Sequence, residues 1–216
     1  MKFVLHSYWR SSASHRVRIG LGMKHLAFEY VGVNIVAGAQ KADAYRAKNP
    51  MGQVPTLEIT EDDGTQIALT QSLPILEYLD ERWPDPPILP RDPYLRAKAR
   101  GLAEIVNAGI QPMQNIMTIR RIKQLGGEDV AWVQPYIADG LAAFARVVEE
   151  TAGQFCVGDT PTVADCCLVP QLASARRFRV ELGQPLERLL AIEARCLALP
   201  AFADAMPDRQ PDAVPS

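Results

Sequence analysis

The sequence predicts a chain in two parts: an α/β first part built as βαβ followed by ββα, and an all-helical second part. Three observations predict this. Short β-rich apolar runs alternate with a helix-like run only in the first third of the chain. A stretch dense in proline, Trp83-Pro84-Asp85-Pro86-Pro87 with Pro90 and Pro93 soon after, then stops helices and strands and makes a stiff connector. Beyond it the periodic segments are helical and rich in Ala and Leu. A length of 216 residues suffices for two small domains. The expected division is 1–83, a connector at 84–92, and a helical domain at 93–216.

Each element has a local reason. Phe3 to Ser7 reads as a short strand. The polar run Tyr8 to Ser14 supplies capping serines for a helix carrying Val17, Ile19, Leu21 and Met23, with Arg16, Arg18 and Lys24 between them. Phe28 to Ile35, rich in Tyr and Val, is the second strand, and strand–helix–strand over this length predicts a parallel pair with a right-handed crossover. Gln40 to Lys48 is a polar helix candidate ended by Asn49-Pro50. Pro55 to Ile59 is a strand that begins at proline, and Glu61-Asp62-Asp63-Gly64 is a hairpin turn that returns the chain through Ile67 to Leu69. Ser72 is expected to cap a helix with Ile75, Leu76 and Leu79 on its inner face.

After the connector, Leu95 to Ile110, Trp132 to Glu150, Val163 to Ala175 and Leu186 to Leu199 have helical spacing, punctuated by Gly126-Gly127, Gly153 and Gly183. Thr162-Val163-Ala164-Asp165 fits a capping box in its acidic variant. The polar tail Arg209 to Ser216 is expected to be poorly ordered.

Composition narrows the function. With 48% hydrophobic and 22% charged residues the chain is globular rather than disordered. A formal net charge of -2 removes the general electrostatic case for nucleic acid or an anionic membrane surface, and no stretch approaches the length of a membrane span. Four cysteines without a C-x-x-C, two of them adjacent at Cys166-Cys167, and three histidines without ligand spacing give no metal site. The N-terminus lacks the apolar core of a secretory signal, so the expected setting is a reducing cytoplasm.

Three local features bear on chemistry. Between a strand end and a helix start, Arg10-Ser11-Ser12-Ala13-Ser14-His15-Arg16 gathers hydroxyls, free N–H groups and the positive helix end, a site that favours an anion such as a thiolate. Simple N-capping accounts for the same serines. Val54-Pro55, after a Gly-containing turn, suits a cis bond that turns the Val54 backbone outward for an extended peptide, or else a trans proline at a strand edge. Gln71-Ser72 at a helix start offers N–H groups to a carboxylate, or is another cap.

Taken together and in this order, the features resemble the glutathione transferase superfamily: a thioredoxin-like βαβ-ββα domain, then a proline connector and a helical domain. Ser11-Ser12-Ala13-Ser14-His15-Arg16-Val17-Arg18-Ile19 is similar to the signature of its zeta class. So are Asn49-Pro50 with Gln53-Val54-Pro55-Thr56-Leu57, Gln111-Pro112-Met113-Gln114-Asn115 and Val157-Gly158-Asp159. Ala164 to Gln171 and the closing Arg209-Gln210-Pro211-Asp212 match as well, so the resemblance spans essentially the whole chain.

The resemblance implies a cofactor, glutathione, and a reaction: cis–trans isomerisation of a maleylacetoacetate-type diacid by reversible thiolate addition, as in aromatic amino acid catabolism. Maleylpyruvate and α-halo acids are the alternative substrates it implies. Ser11 would hold the glutathione sulfur as thiolate, supported by Ser12 and the N–H groups from Ala13 onward. Val54, presented by Pro55, would pair with the cysteinyl backbone. Gln71 and Ser72 would take the γ-glutamyl carboxylate and Gln40 the glycyl end, while Gln111 and Asn115 would approach from the helical domain. Arg10 and Arg177 are candidates for the substrate's carboxylates, because a guanidinium pairs bidentately with a carboxylate. An ordinary solvated arginine in Arg176-Arg177-Phe178-Arg179 is the competing reading of Arg177. A homodimer is implied. Ala13 departs from the class pattern Ser-Ser-Cys, which removes chemistry relying on a protein thiol at that position but leaves isomerisation by glutathione itself standing.

Overall fold

The computed structural model describes residues 1–214. Four strands form one mixed sheet: β1 (Lys2–Ser7), β2 (Glu29–Gly32), β3 (Thr56–Thr60) and β4 (Gln66–Thr70), in the order β2-β1-β3-β4. β1 and β2 are parallel, joined through α1 (Ser12–Met23). β3 is antiparallel to β1 and β4 to β3, in the register Leu5↔Leu57 and Leu57↔Leu69. α3 (Ser72–Arg82) follows β4, giving the expected thioredoxin-like βαβ-ββα arrangement. Phe3, Leu5, Val17, Leu21, Leu57, Ile59, Ile75 and Leu79 meet in one core beneath the sheet. Each such side chain contributes roughly 1.5–3 kcal/mol of burial.

The Gln40–Lys48 candidate does not form one helix. It is a 3₁₀ turn at Ala39–Lys41 followed by the single-turn α2 (Asp43–Arg46), because only Gln40 and Tyr45 in the segment are buried and no apolar face exists to dock a longer helix. Tyr45 Oη donates to the Gln53 carbonyl at 2.6 Å and Asn49 Nδ2 donates to the same carbonyl at 2.8 Å, which ties the loop to the start of β3. Gly52, at φ +59, lies so close to this loop that a Cβ there would stand 2.9 Å from the Gln40 carbonyl oxygen. Ser72 is not the cap of α3 either. The N-cap position belongs to Gln71, which has φ +68 and makes no side-chain cap, and Ser72 is the first helical residue.

By its internal contacts the chain forms two units: Met1–Ile88 with the segment that starts at Leu199, and Leu89–Ala198. The helical domain expected at 93–216 therefore loses its last stretch to the first unit. That stretch contains α10 (Pro200–Ala203), which packs on α1 so tightly that a Cβ on Gly22 would lie 3.1 Å from the Ala201 Cα. The tail expected to be poorly ordered is held: Gln210 Nε2 donates to the Asp204 and Met206 carbonyls, and Asp212 receives Tyr30 Oη at 2.6 Å. The end of that tail, Pro215 and Ser216, lies outside the described residues. The proline connector is pinned as well. Lys24, buried at the end of α1, donates to Asp80 Oδ1 at 3.0 Å and to the Trp83 and Pro86 carbonyls.

The second unit is helical. The expected Leu95–Ile110 helix is α4 (Pro93–Glu104), capped by Asp92, then a π turn at Ile105–Ile110 and the short α5 (Gln111–Gln114). The unanticipated α6 (Ile116–Gln124) is capped by Asn115, whose Oδ1 accepts from the Met117 amide at 2.9 Å, and it buries no residue fully. α7 (Asp129–Val148), α8 (Val163–Arg177) and α9 (Glu187–Leu197) follow. α8 is buried along nearly its whole length. The capping box at its start is complete. Asp165, fully buried, accepts from the Thr162 amide at 2.7 Å and from the Cys156 amide at 2.9 Å, so it also holds the preceding loop. All four cysteines are buried and none forms a disulfide.

Asp165→Ala leaves two buried amides without partners and is expected to cost about 3 kcal/mol. Asp165→Asn, which keeps one acceptor oxygen, should cost less. Denaturant midpoints at unchanged m-value measure both.

Candidate active site

β1 ends at Ser7 and α1 begins at Ser12, so the intervening turn decides what stands at the helix amino end. The Ser11 amide donates to the Tyr8 carbonyl at 2.9 Å and closes this turn. Ser11 itself is extended, and its Oγ accepts from the Ser14 amide at 3.2 Å. Capping therefore occurs, as the simpler reading of the serines has it, but it consumes one donor only. The first N–H groups of a helix have no partner within it. Ser11, Ser12 and Ala13 are all half-buried, and no acidic residue stands in the first turn to neutralise the dipole. Arg10 is exposed, its guanidinium 4.9 Å from the Trp9 ring centroid.

A second helix amino end lies beside the first. Arg16, only 1% exposed, extends from α1 and donates through Nη1 to Ser72 Oγ at 3.2 Å. The buried guanidinium thus links the two serine-bearing helix starts. Gln71 holds a backbone conformation that an L residue adopts at a cost of about 1–3 kcal/mol, and α3 too has no acid in its first turn. The Val54–Pro55 bond is cis. Among the described residues the Val54 amide and carbonyl have no hydrogen-bond partner, although the residue is buried. Gln40 is 2% exposed; its Nε2 donates to the Ile35 carbonyl at 3.3 Å, while its Oε1 is unpartnered. Ser11, Gln40, Val54, Gln71 and Ser72 thus stand in one unit, with the Val54 backbone and Gln40 Oε1 unpartnered among the described residues.

Gln111, Asn115 and Arg177 lie in the second unit. Gln111 Nε2 donates to Gln171 Oε1 at 3.3 Å, and Asn115 is the cap of α6. Arg176 is committed to Glu193 through Nη1 and Nη2, and its neighbour Arg177, like it exposed, holds its guanidinium 4.7 Å from the Phe178 ring centroid. Residue spacing does not show the linking role of Arg16. The available signal is its position among the apolar residues of a helix covered on two sides.

The four-stranded thioredoxin-like sheet, the two serine-bearing helix starts and the cis proline before β3 define a glutathione transferase-type protein. A model of the glutathione S-transferase N-terminal domain matches residues 5–87. The maleylacetoacetate isomerase of Mus musculus is 44% identical over 98% of this chain and 95% of its own. A crystal structure of the maleylacetoacetate isomerase of Anaeromyxobacter dehalogenans, with glutathione bound in its active site, is 50% identical, with TM-score 0.90 over 99% of this chain and 98% of that one. A bacterial zeta-class maleylpyruvate isomerase in its holo form is 39% identical, with TM-score 0.91 over 98% of this chain and 100% of that one. The chain belongs to the zeta class of the glutathione transferases, the family of the maleylacetoacetate and maleylpyruvate isomerases.

His15, in the first turns of α1, is buried with Nε2 unpartnered. Burial, reinforced by Arg18 and Arg16, holds its pKa well below the ordinary 6.5. The folded protein resists a proton that the unfolded chain accepts, so the stabilising contribution is present above pH 6.5 and is lost as the pH falls below it. Stability measured from pH 7.5 down to 5 should decline, and His15→Leu should flatten that slope.

Proposed function

We propose that the protein is a glutathione-dependent cis–trans isomerase of maleylacetoacetate-type diacids. The observation that carries this reading is the pairing of the α1 and α3 amino ends through Arg16 and Ser72, with the unpartnered Val54 backbone in the same unit. The residues fit the tripeptide. It presents a thiol, an extended backbone and two terminal carboxylates, and the unit offers a hydroxyl at a positive helix end, the Val54 backbone just before β3 and a second helix start. Bound glutathione supplies the thiolate that adds reversibly to the conjugated double bond.

The protein's own groups make that chemistry possible. Ser11 Oγ donates a hydrogen bond to the sulfur, and the α1 dipole and the N–H groups of Ser12 and Ala13 favour its ionised form. Val54 takes the cysteinyl amide and carbonyl. Gln71 and Ser72 take the γ-glutamyl carboxylate, with Arg16 behind Ser72 adding positive charge, and Gln40 takes the glycyl end. Arg10 and Arg177 are the proposed partners of the substrate's carboxylates, and Gln111 and Asn115 are proposed as further cofactor-binding residues. Ala13 has no thiol to compete with glutathione, which suits a reaction in which glutathione is the only nucleophile. We place the enzyme in the cytoplasm, as a homodimer; free buried cysteines support the first and family membership the second.

Ser11→Ala should lower kcat/KM for maleylacetoacetate by about 100-fold with the fold retained, since one lost donor to a developing anion costs about that much. Ser72→Ala should instead raise the glutathione KM with a smaller change in kcat. Assaying both diacids with the native protein decides between maleylacetoacetate and maleylpyruvate as preferred substrate, and absence of glutathione-dependent turnover of either overturns the reading. Sedimentation at micromolar concentration should give a mass of two chains.

A further inference from the structure

The closing motif Arg209-Gln210-Pro211-Asp212 has no part in the function described above, yet it ends next to the turn that presents Ser11. Asp212 Oδ2 accepts from the Trp9 amide at 3.2 Å, across 203 residues of sequence. Its Oδ1 accepts from Tyr30 Oη, on β2, at 2.6 Å. On the other side of the same residue, Arg18 Nη2 donates to the Trp9 carbonyl at 3.2 Å. Both peptide groups flanking Trp9 are therefore held by oppositely charged side chains.

Trp9 lies inside the turn closed by the Ser11 amide on the Tyr8 carbonyl. Rotation of either Trp9 peptide moves Ser11 relative to the α1 amino end. A hydroxyl that stabilises a thiolate has to stay within a few tenths of an ångström of its place. Held only by its own backbone, a four-residue turn has no such rigidity, because loops depend on outside contacts for their order.

We propose that Asp212 is a positioning residue: through the Trp9 amide it fixes the turn that aims Ser11 and the first N–H groups of α1 at the glutathione sulfur. The C-terminal tail is thereby part of the cofactor site without touching the cofactor. This inference rests on the reading of Ser11 as the thiolate partner.

The test compares Asp212→Ala, Asp212→Asn and Tyr30→Phe with the native protein and with Ser11→Ala. Three quantities are read: hydrogen exchange of the Trp9 amide without ligand, the calorimetric Kd for glutathione, and the apparent pKa of the bound thiol from its ultraviolet absorbance. Asp212→Ala should speed Trp9 exchange, weaken glutathione binding on the order of tenfold and raise the bound thiol's pKa, as expected for displaced catalytic groups. Asp212→Asn keeps one acceptor and should lie between it and the native protein. Tyr30→Phe, which frees one carboxylate oxygen only, should shift the same quantities less. Native Kd and thiol pKa in Asp212→Ala, with only a lowered melting temperature, overturn the proposal and leave the glutathione reading intact. Should Asp212→Ala fail to fold, native values in both Asp212→Asn and Tyr30→Phe overturn it. A Ser11→Ala protein with an unchanged thiol pKa overturns the reading on which the proposal rests.

Discussion

Arg18 is 2% exposed, in the middle of a helix covered by α3 on one side and α10 on another. Burying such a charge without partners costs far more than a domain's net stability. Arg18 is tolerated because each part of its fork is used: Nε on the Ala205 carbonyl at 3.0 Å, Nη1 on Ser7 Oγ at 3.2 Å and Nη2 on the Trp9 carbonyl. Burial pulls its pKa down to about 10, with Tyr30 and Asp212 working against the shift, so it remains charged at neutral pH. Much of the first unit follows from satisfying this one group. The end of β1, the turn before Ser11 and the C-terminal segment all have to be where they are for the helix to bury its arginine.

Lys24 extends the same logic at the end of α1, and Arg16 adds a tie to α3. Arg16 meets Ser72 at the start of α3, and Lys24 meets Asp80 and two carbonyls of the proline connector. Three cations on one buried helix thus fasten, in turn, the second helix start, the chain terminus and the connector. Broken singly, such contacts are costly because they strand a buried charge or donor. In the helical unit a carboxylate does the corresponding work. Desolvation raises the Asp165 pKa, opposed by the Cys156 and Thr162 hydrogen bonds that join a loop to the start of α8.

This scaffold leaves positive potential where the chemistry needs it. Neither α1 nor α3 carries an acid in its first turn, and Arg16 stands behind the start of α3. A chain with a net charge of -2 therefore has a local field that favours anions, set by backbone dipoles and one buried guanidinium rather than by overall charge. Placing an ionisable thiol at such a point lowers its pKa, which is the step the proposed reaction depends on.

The elements of the first unit were legible because their signals are local. Alternation marks β1 and β3, Asp63-Gly64 marks the hairpin, and Ser11 before an apolar run marks the start of α1. The Thr162–Asp165 box is equally local and is seen whole. Gln40–Lys48 differs from its expected helix because helix-compatible composition without an apolar face does not hold a helix in place. α6 carries no comparable signal because it buries no residue fully. By itself the sequence determined the strands, the main helices and which residue types stand at the two helix starts, since caps, turns and periodicity act over a few residues. Only the tertiary structure decided that Arg16, Arg18 and Lys24 are buried rather than solvated, that Gln71 takes a positive φ, and that Asp212 reaches Trp9. These depend on which segments pack against α1, and Ser72 for Arg16, Ala205 for Arg18 and Asp80 for Lys24 lie far away in the sequence.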